Sequence, residues 1–139
     1  MLLRFLVSAV FAATGFAAAG QNASSDPNLK YYIVEGTPKT EVLSAMVTNP
    51  ADPTAGAEAL VTGIEGAKLI GYYLLAGKPQ NLAIIAVPDT HDAAAITWQR
   101  MGTGLMEEME VYEVIPADQF KGVLEQAKDL NENEQYLKD

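Results

Sequence analysis

Ala67-Lys68-Leu69-Ile70-Gly71-Tyr72-Tyr73-Leu74-Leu75, then Ala76-Gly77-Lys78-Pro79-Gln80-Asn81, then Leu82-Ala83-Ile84-Ile85-Ala86-Val87: two apolar runs rich in aliphatic and aromatic residues flank a segment whose Gly and Pro suit a turn. The pattern predicts a β-hairpin. Side chains alternate across a strand, so Ile70, Tyr72 and Leu74 point one way while Leu69, Tyr73 and Leu75 point the other. In the second run Leu82, Ile84 and Ala86 likewise oppose Ala83, Ile85 and Val87. An antiparallel sheet with one wet face alternates apolar and polar residues, and here both faces are apolar. Each face therefore needs a cover.

Working outward, Leu29 to Glu35 is β-branched and aromatic and reads as the first strand, broken by Thr37-Pro38. A short helix over Lys39 to Thr48 pairs Val42 with Met46 and Leu43 with Val47, and Asn49-Pro50-Ala51-Asp52-Pro53 stops it. Helix resumes after Thr54, read as the N-cap, with Ala57, Leu60, Val61 and Ile64 on one face and Gly66 as its end. Downstream of the hairpin, Pro88 to Asp92 opens another helix, with Ala94, Trp98, Met101 and Leu105 as the inward stripe. Met109 to Ile115 reads as the fourth strand. Pro116 then starts a terminal helix with Phe120, Leu124 and Ala127 inward. The order βαββαβ with an added C-terminal helix predicts an α+β, ferredoxin-like antiparallel sheet. Its helices can cover only one face. A second copy of the chain is the economical cover for the other, which predicts a homodimer.

The chain has 139 residues, 49% of them hydrophobic and 19% charged, enough for one domain with one modest core. Eighteen acidic against nine basic residues give a net charge of −9, which repels nucleic acid and anionic lipid. Zero Cys removes thiolate catalysis, thiolate metal sites and disulfides. At the N-terminus, Arg4 precedes an apolar stretch from Phe5 and the small residues Ala17-Ala18-Ala19. This is the layout of a secretory signal cut after Ala19, too short for a permanent span. Residues 1–19 are accordingly expected to be removed, with 20–28 a linker, 29–128 the folded domain and 129–139 a polar, fraying tail. The mature protein is then periplasmic or secreted, with no stable membrane insertion.

From Tyr32 to Phe120 the chain resembles the GYD domain family, which is ferredoxin-like and related to dimeric α/β-barrel proteins. Thr37-Pro38, the helix ending near Gly66, Ala67-Lys68-Leu69 before Tyr72-Tyr73, Gly77, Val87-Pro88-Asp89, and Ile115-Pro116-Ala117-Asp118-Gln119-Phe120 carry the likeness through their order and spacing. Pro79-Gln80 stands after Gly77 where the family has Tyr-Asp, so no role passes to those positions. The resemblance implies the dimeric α/β-barrel fold type and no particular reaction or cofactor.

His91, flanked by Asp89 and Asp92, is the only imidazole and the one candidate acid/base group, although a residue in a helix first turn is more ordinarily just exposed. Neighbouring positions on one turn do not converge as metal ligands, so Asp89-His91-Asp92 makes no metal site. Tyr72, Tyr73, Trp98 and His91 are the candidate ligand-binding residues, for a small aromatic ligand held between sheet and helices. Adjacent tyrosines face opposite ways, so at most one of Tyr72 and Tyr73 reaches a given cavity. Glu107, Glu108, Glu110 and Glu113 fit a strand edge guarded by charge. Gly102-Thr103-Gly104 precedes a strand and does not open a helix, unlike a nucleotide fingerprint. Ser44 and His91 have no visible third partner for a triad. The leading reading is a non-catalytic, homodimeric ligand-binding or interaction module. The other is a cofactorless oxygenase or isomerase using His91 as base with Tyr72 or Tyr73 orienting the substrate. It requires His91 and a Tyr hydroxyl in one pocket of about 300 Å³ or more.

Overall fold

The computed structural model of the protein describes residues 24–135. The secretory segment and its cut after Ala19 lie outside the described residues. The elements run β1 (Leu29–Pro38), α1 (Thr40–Thr48), α2 (Thr54–Glu58), β2 (Lys68–Leu74), β3 (Asn81–Pro88), α3 (Ala93–Gly102), β4 (Met106–Val114) and α4 (Phe120–Gln135). The four strands form one antiparallel sheet in the order β2-β3-β1-β4. That is the ferredoxin-like arrangement of an α+β domain, with β1 and β3 central.

The hairpin forms, and Leu75 N–H closes it on the Gln80 carbonyl at 2.9 Å; a register irregularity between Leu69 and Gly71 breaks the expected alternation, so Leu69 and Tyr72, read as facing opposite ways, both pack on the core side. Tyr32, Val34, Ala83, Ile85 and Val87 point to the helical side and join Ile96 in the core. Leu60, Val61, Ile64, Leu69, Tyr72, Met109 and Val111 pack around them. Register explains the partition, since Tyr32 faces Ile85 and Val34 faces both Ala83 and Val111. On the other side lie Ile33, Ile84 and Tyr112 in one row and Leu82 and Tyr73 in the next.

Several local expectations need correction. The first strand does not break at Thr37-Pro38 but runs through Pro38, where a register shift against β4 takes the residue that lacks an N–H. Thr54 is not a cap; its N–H and hydroxyl both donate to the Asp52 carboxylate, at 2.9 and 2.5 Å. The helix beyond it is short, ending at Glu58, and Gly63 and Gly66 further on take left-handed backbone, at φ +89° and +80°. Three-residue turns carry the chain onward and still bring Leu60, Val61 and Ile64 to the core.

The inward stripe of α3 is out of phase with the sequence reading. Ala94 is exposed, as are Trp98 (81%), Met101 and Leu105, while Ile96 is buried and Ala93, Thr97 and Arg100 are half-buried. Those four occupy i, i+3, i+4 and i+7, so a polar, Arg-ending stripe faces inward. Finally, α4 begins at Phe120 after a run of turns from Pro116, and it continues to Gln135, past the point where fraying was expected. Phe120, Leu124 and Ala127 are exposed, since α4 does not pack along the sheet.

The segment before β1 is tied down where a free linker was expected. Ser25 N–H and hydroxyl donate to the Asp118 carboxylate, both at 2.7 Å, and the Gln119 side-chain amide donates to Ser25 Oγ at 2.7 Å. Asp26 N–H donates to the Tyr31 hydroxyl at 2.8 Å. The Ser25 hydrogen bonds hold the Asp118 carboxyl below the usual carboxylate range.

Candidate functional site

A cavity of about 360 Å³ lies between α1, α2 and the core-side face of the sheet. This falls at the small end of the ~300–1,000 Å³ typical of small-molecule sites. Its floor is Val34, Ala83 and Met109, one residue from each of three neighbouring strands. Its roof is α1, which presents Val42, Leu43 and Met46 to the cavity and has no buried residue of its own. The apolar stripe of α1 thus faces cavity, not packed core.

Why the helix stands off is written in the flanking chain. Pro50 and Pro53 prevent α1 from running into α2, and Asp52, anchoring Thr54, holds the turn between them. At the edge, Gly36 has no room for a Cβ, because the Met106 methyl and the Asn81 carboxamide oxygen stand in that place. Both Met106 and Asn81 line the cavity. Tyr72 reaches it from β2; burial pushes its hydroxyl up from the ordinary tyrosine value, and the Asn81 side chain partly offsets this.

Polar groups in the lining are few and unevenly served. Asp52 sits at the rim, its carboxyl lowered by the hydrogen bonds from Thr54. Lys78 stands on the hairpin turn. Arg100 enters from the last turn of α3 and Gln80 from the end of the hairpin. Among the described residues, the buried side-chain polar atoms without a hydrogen-bond partner are Gln80 Oε1, Arg100 Nε and Arg100 Nη2. Buried polar atoms in native proteins are almost always paired, and these three are exceptions; the residues that carry them line the cavity, while the atoms themselves have no accessible surface.

Of the candidate residues named from sequence, Tyr72 alone lines this cavity. Tyr73 is on the opposite face and 57% exposed. Trp98 is on the solvent side of α3. His91 is half-buried at the corner before α3, its N–H bonded to the Pro88 carbonyl, and lines neither this cavity nor a second, more polar recess. That recess, of about 470 Å³, lies at the far end of the sheet between Lys30, Asp89, Glu113 and Gln119. The 3.1 Å Lys30–Asp89 pair there raises the Lys30 ammonium. Arg100 and Gln80 were missed. An arginine at the seventh step of an Ala93-Ile96-Thr97 stripe was the signal that could have found the first; nothing in the sequence marks the second.

Among the described residues no three His, Asp or Glu side chains gather as a metal site requires, and no helix is long and apolar enough to cross a membrane. No protein-family model matches the chain, and no curated protein matches it. Among solved structures, the chain is similar to the C-terminal domain of the MgtC protein from Mycobacterium tuberculosis, at 13% identity and a TM-score of 0.46 over 66% of this chain and 94% of that one. It is also similar to a NIPSNAP family protein of unknown function from Agrobacterium tumefaciens, at 20% identity and a TM-score of 0.42 over 65% and 89% of the two chains.

Proposed function

We propose that this is an exported, GYD-like homodimeric module that binds a small, largely apolar molecule, aromatic or aliphatic, between its helices and its sheet. The observation that carries the reading is the cavity under α1: an amphipathic helix whose apolar stripe faces about 360 Å³ of mostly apolar space, open to solvent on one side. A helix needs a partner for that stripe, and a ligand supplies one. His91 lies outside the cavity, so the oxygenase or isomerase alternative has no imidazole beside a molecule held there. A binding role needs none.

The homodimer is supported by the other face of the sheet. Tyr73 is 57% exposed there and Tyr112 46%, and α4 does not lie across them. An apolar patch of this kind, bordered on the same face by Glu35, Glu108 and Glu110, is what a two-fold partner covers. Export rests on the leader ending at Ala19. Solvent extraction of the purified mature protein, followed by mass spectrometry, tests binding: a stoichiometric apolar small molecule is the expected result. Its absence, together with failure of any apolar probe to bind, overturns the reading.

A further inference from the structure

The terminal helix α4 is held at its root and free along its length. Asp118 and Gln119, just before its first turn, are hydrogen-bonded to Ser25 and Asp26, yet every residue from Val123 to Glu134 is exposed. One stripe of it is apolar: Phe120, Val123, Leu124, Ala127 and Leu130 fall at i, i+3, i+4, i+7 and i+10. Its own means of staying helical are thin. At 16 residues it is near the length at which an isolated helix is marginal in water, and Gly122 weakens its first turn. Its i,i+4 ion pairs, Lys121–Glu125 and Lys128–Glu132, run in the less favourable Lys-first order. Such a stripe requires packing from outside its own subunit. The open face of the sheet has a matching need. Ile33, Ile84 and Tyr112 form one apolar row there, and in the next row Glu35 lies directly opposite Glu110, with Glu108 two residues away on β4. Like charges opposed across strands repel, and no ion pair among the described residues involves these three acids.

We infer that α4 of each subunit lies along the open sheet face of its partner, so that the homodimer is an exchange of terminal helices. This rests on the homodimer proposed above and names the segment that covers the face. One contact then answers both needs. The helix, about 24 Å long, fits along β1, whose ten residues span about 33 Å. Lys121 and Lys128, seven residues apart, lie on one flank of the stripe, next to Leu124. With the stripe over Ile33 and Ile84, charge selects the helix direction in which that flank falls over β4, where Glu108 and Glu110 stand. The present partners of the two lysines, Glu125 and Glu132, are exposed, and exposed ion pairs are worth little, so both ammonium groups can turn to the acids of the sheet. Two-fold symmetry makes the contact twice, each subunit giving a helix and receiving one. Two sheets packed directly together would leave both α4 stripes in water, and two helices paired alone would leave both sheets bare.

The chain has no cysteine, so introduced thiols report contacts without background. The mature protein carrying Leu124→Cys and Ile84→Cys is treated with a short bismaleimide, whose reach tolerates a shift of about one helical turn, and the products are read by denaturing gel and peptide mass spectrometry. The expected product is a covalent dimer whose linked peptides join position 124 of one chain to position 84 of the other. A monomer-sized product with the same link, meaning that α4 folds onto its own sheet, overturns the exchange; so do 84–84 or 124–124 links alone, or no link. Light scattering separates this claim from the homodimer itself. Val123→Glu/Leu124→Glu puts charge into a dry contact and is expected to raise the dimer Kd at least about tenfold. Both side chains are exposed on their own subunit, so melting of dilute, monomeric samples should be unchanged. A wild-type dimer that this variant leaves intact overturns the exchange and keeps the homodimer. A wild type that is monomeric at tens of micromolar removes the homodimer reading, and the exchange with it.

Discussion

Ile84 and Ile85 are sequence neighbours on opposite faces of β3, and truncating each in turn tests how the sheet is partitioned. Ile85 is 0% exposed and sits in the core cluster with Tyr32, Val34 and Ile96. It does not line the cavity under α1, so its neighbours cannot collapse into existing space to soften a loss. Ile85→Ala should therefore cost about 3–4 kcal/mol, within the ~2–5 kcal/mol of buried large-to-small changes. At about 2 cal/mol/K of unfolding entropy per residue over roughly 110 ordered residues, that lowers Tm by about 15 °C. Ile84 is half-buried on the open face, so Ile84→Ala should cost about 1 kcal/mol within one subunit, roughly 4 °C. Any further loss at Ile84 belongs to association and should shrink on dilution; the loss at Ile85 should not. Calorimetric melting at two protein concentrations decides it. An Ile84→Ala loss matching that of Ile85→Ala in the dilute sample would refute the assignment of faces.

Ala83, 2% exposed on the cavity floor, gives a second test: Ala83→Leu should take up part of the cavity and weaken binding of an apolar probe such as 1-octanol, with Tm unchanged or raised. The double variant Tyr73→Lys/Ile84→Lys puts paired charges on the open face and should convert a dimer, seen by light scattering at tens of micromolar, into monomer or aggregate. Because the Asp118 carboxyl is depressed in the folded protein, its attachment to Ser25 should be complete above about pH 4 and lost as pH falls below that, read as faster amide exchange at Ser25. With Arg4 removed alongside the leader, eight basic and eighteen acidic residues remain, and the mature protein should bind neither DNA nor anionic vesicles at physiological salt.

The sheet was legible because continuous apolar runs bounded by Gly and Pro have few alternative readings. The inward face of residues 57–64 was legible too, although the helix carrying it is short: i, i+3 turns deliver Leu60 and Ile64 to the core much as a helix would. The phase of α3 was not. Trp98 and Met101 are its largest apolar residues and draw a periodicity reading toward them, yet Ile96 alone anchors the helix, and Trp98 is left in solvent. The same phase error hid Arg100, which the Trp98 stripe would have sent outward. The cavity was illegible for another reason. It arises from how far α1 stands from the sheet, a distance set by two prolines and by tertiary packing that no local pattern encodes.

Methyl NMR of the mature protein during addition of 1-octanol, a small apolar probe, tests the central claim most directly, because it locates the ligand as well as detecting it. Saturable shifts at Val42, Leu43, Met46, Leu60 and Met109, with Ile33 and Ile84 on the open face unmoved, are the predicted result. Shifts confined to the open face of the sheet, or none at all, would contradict it.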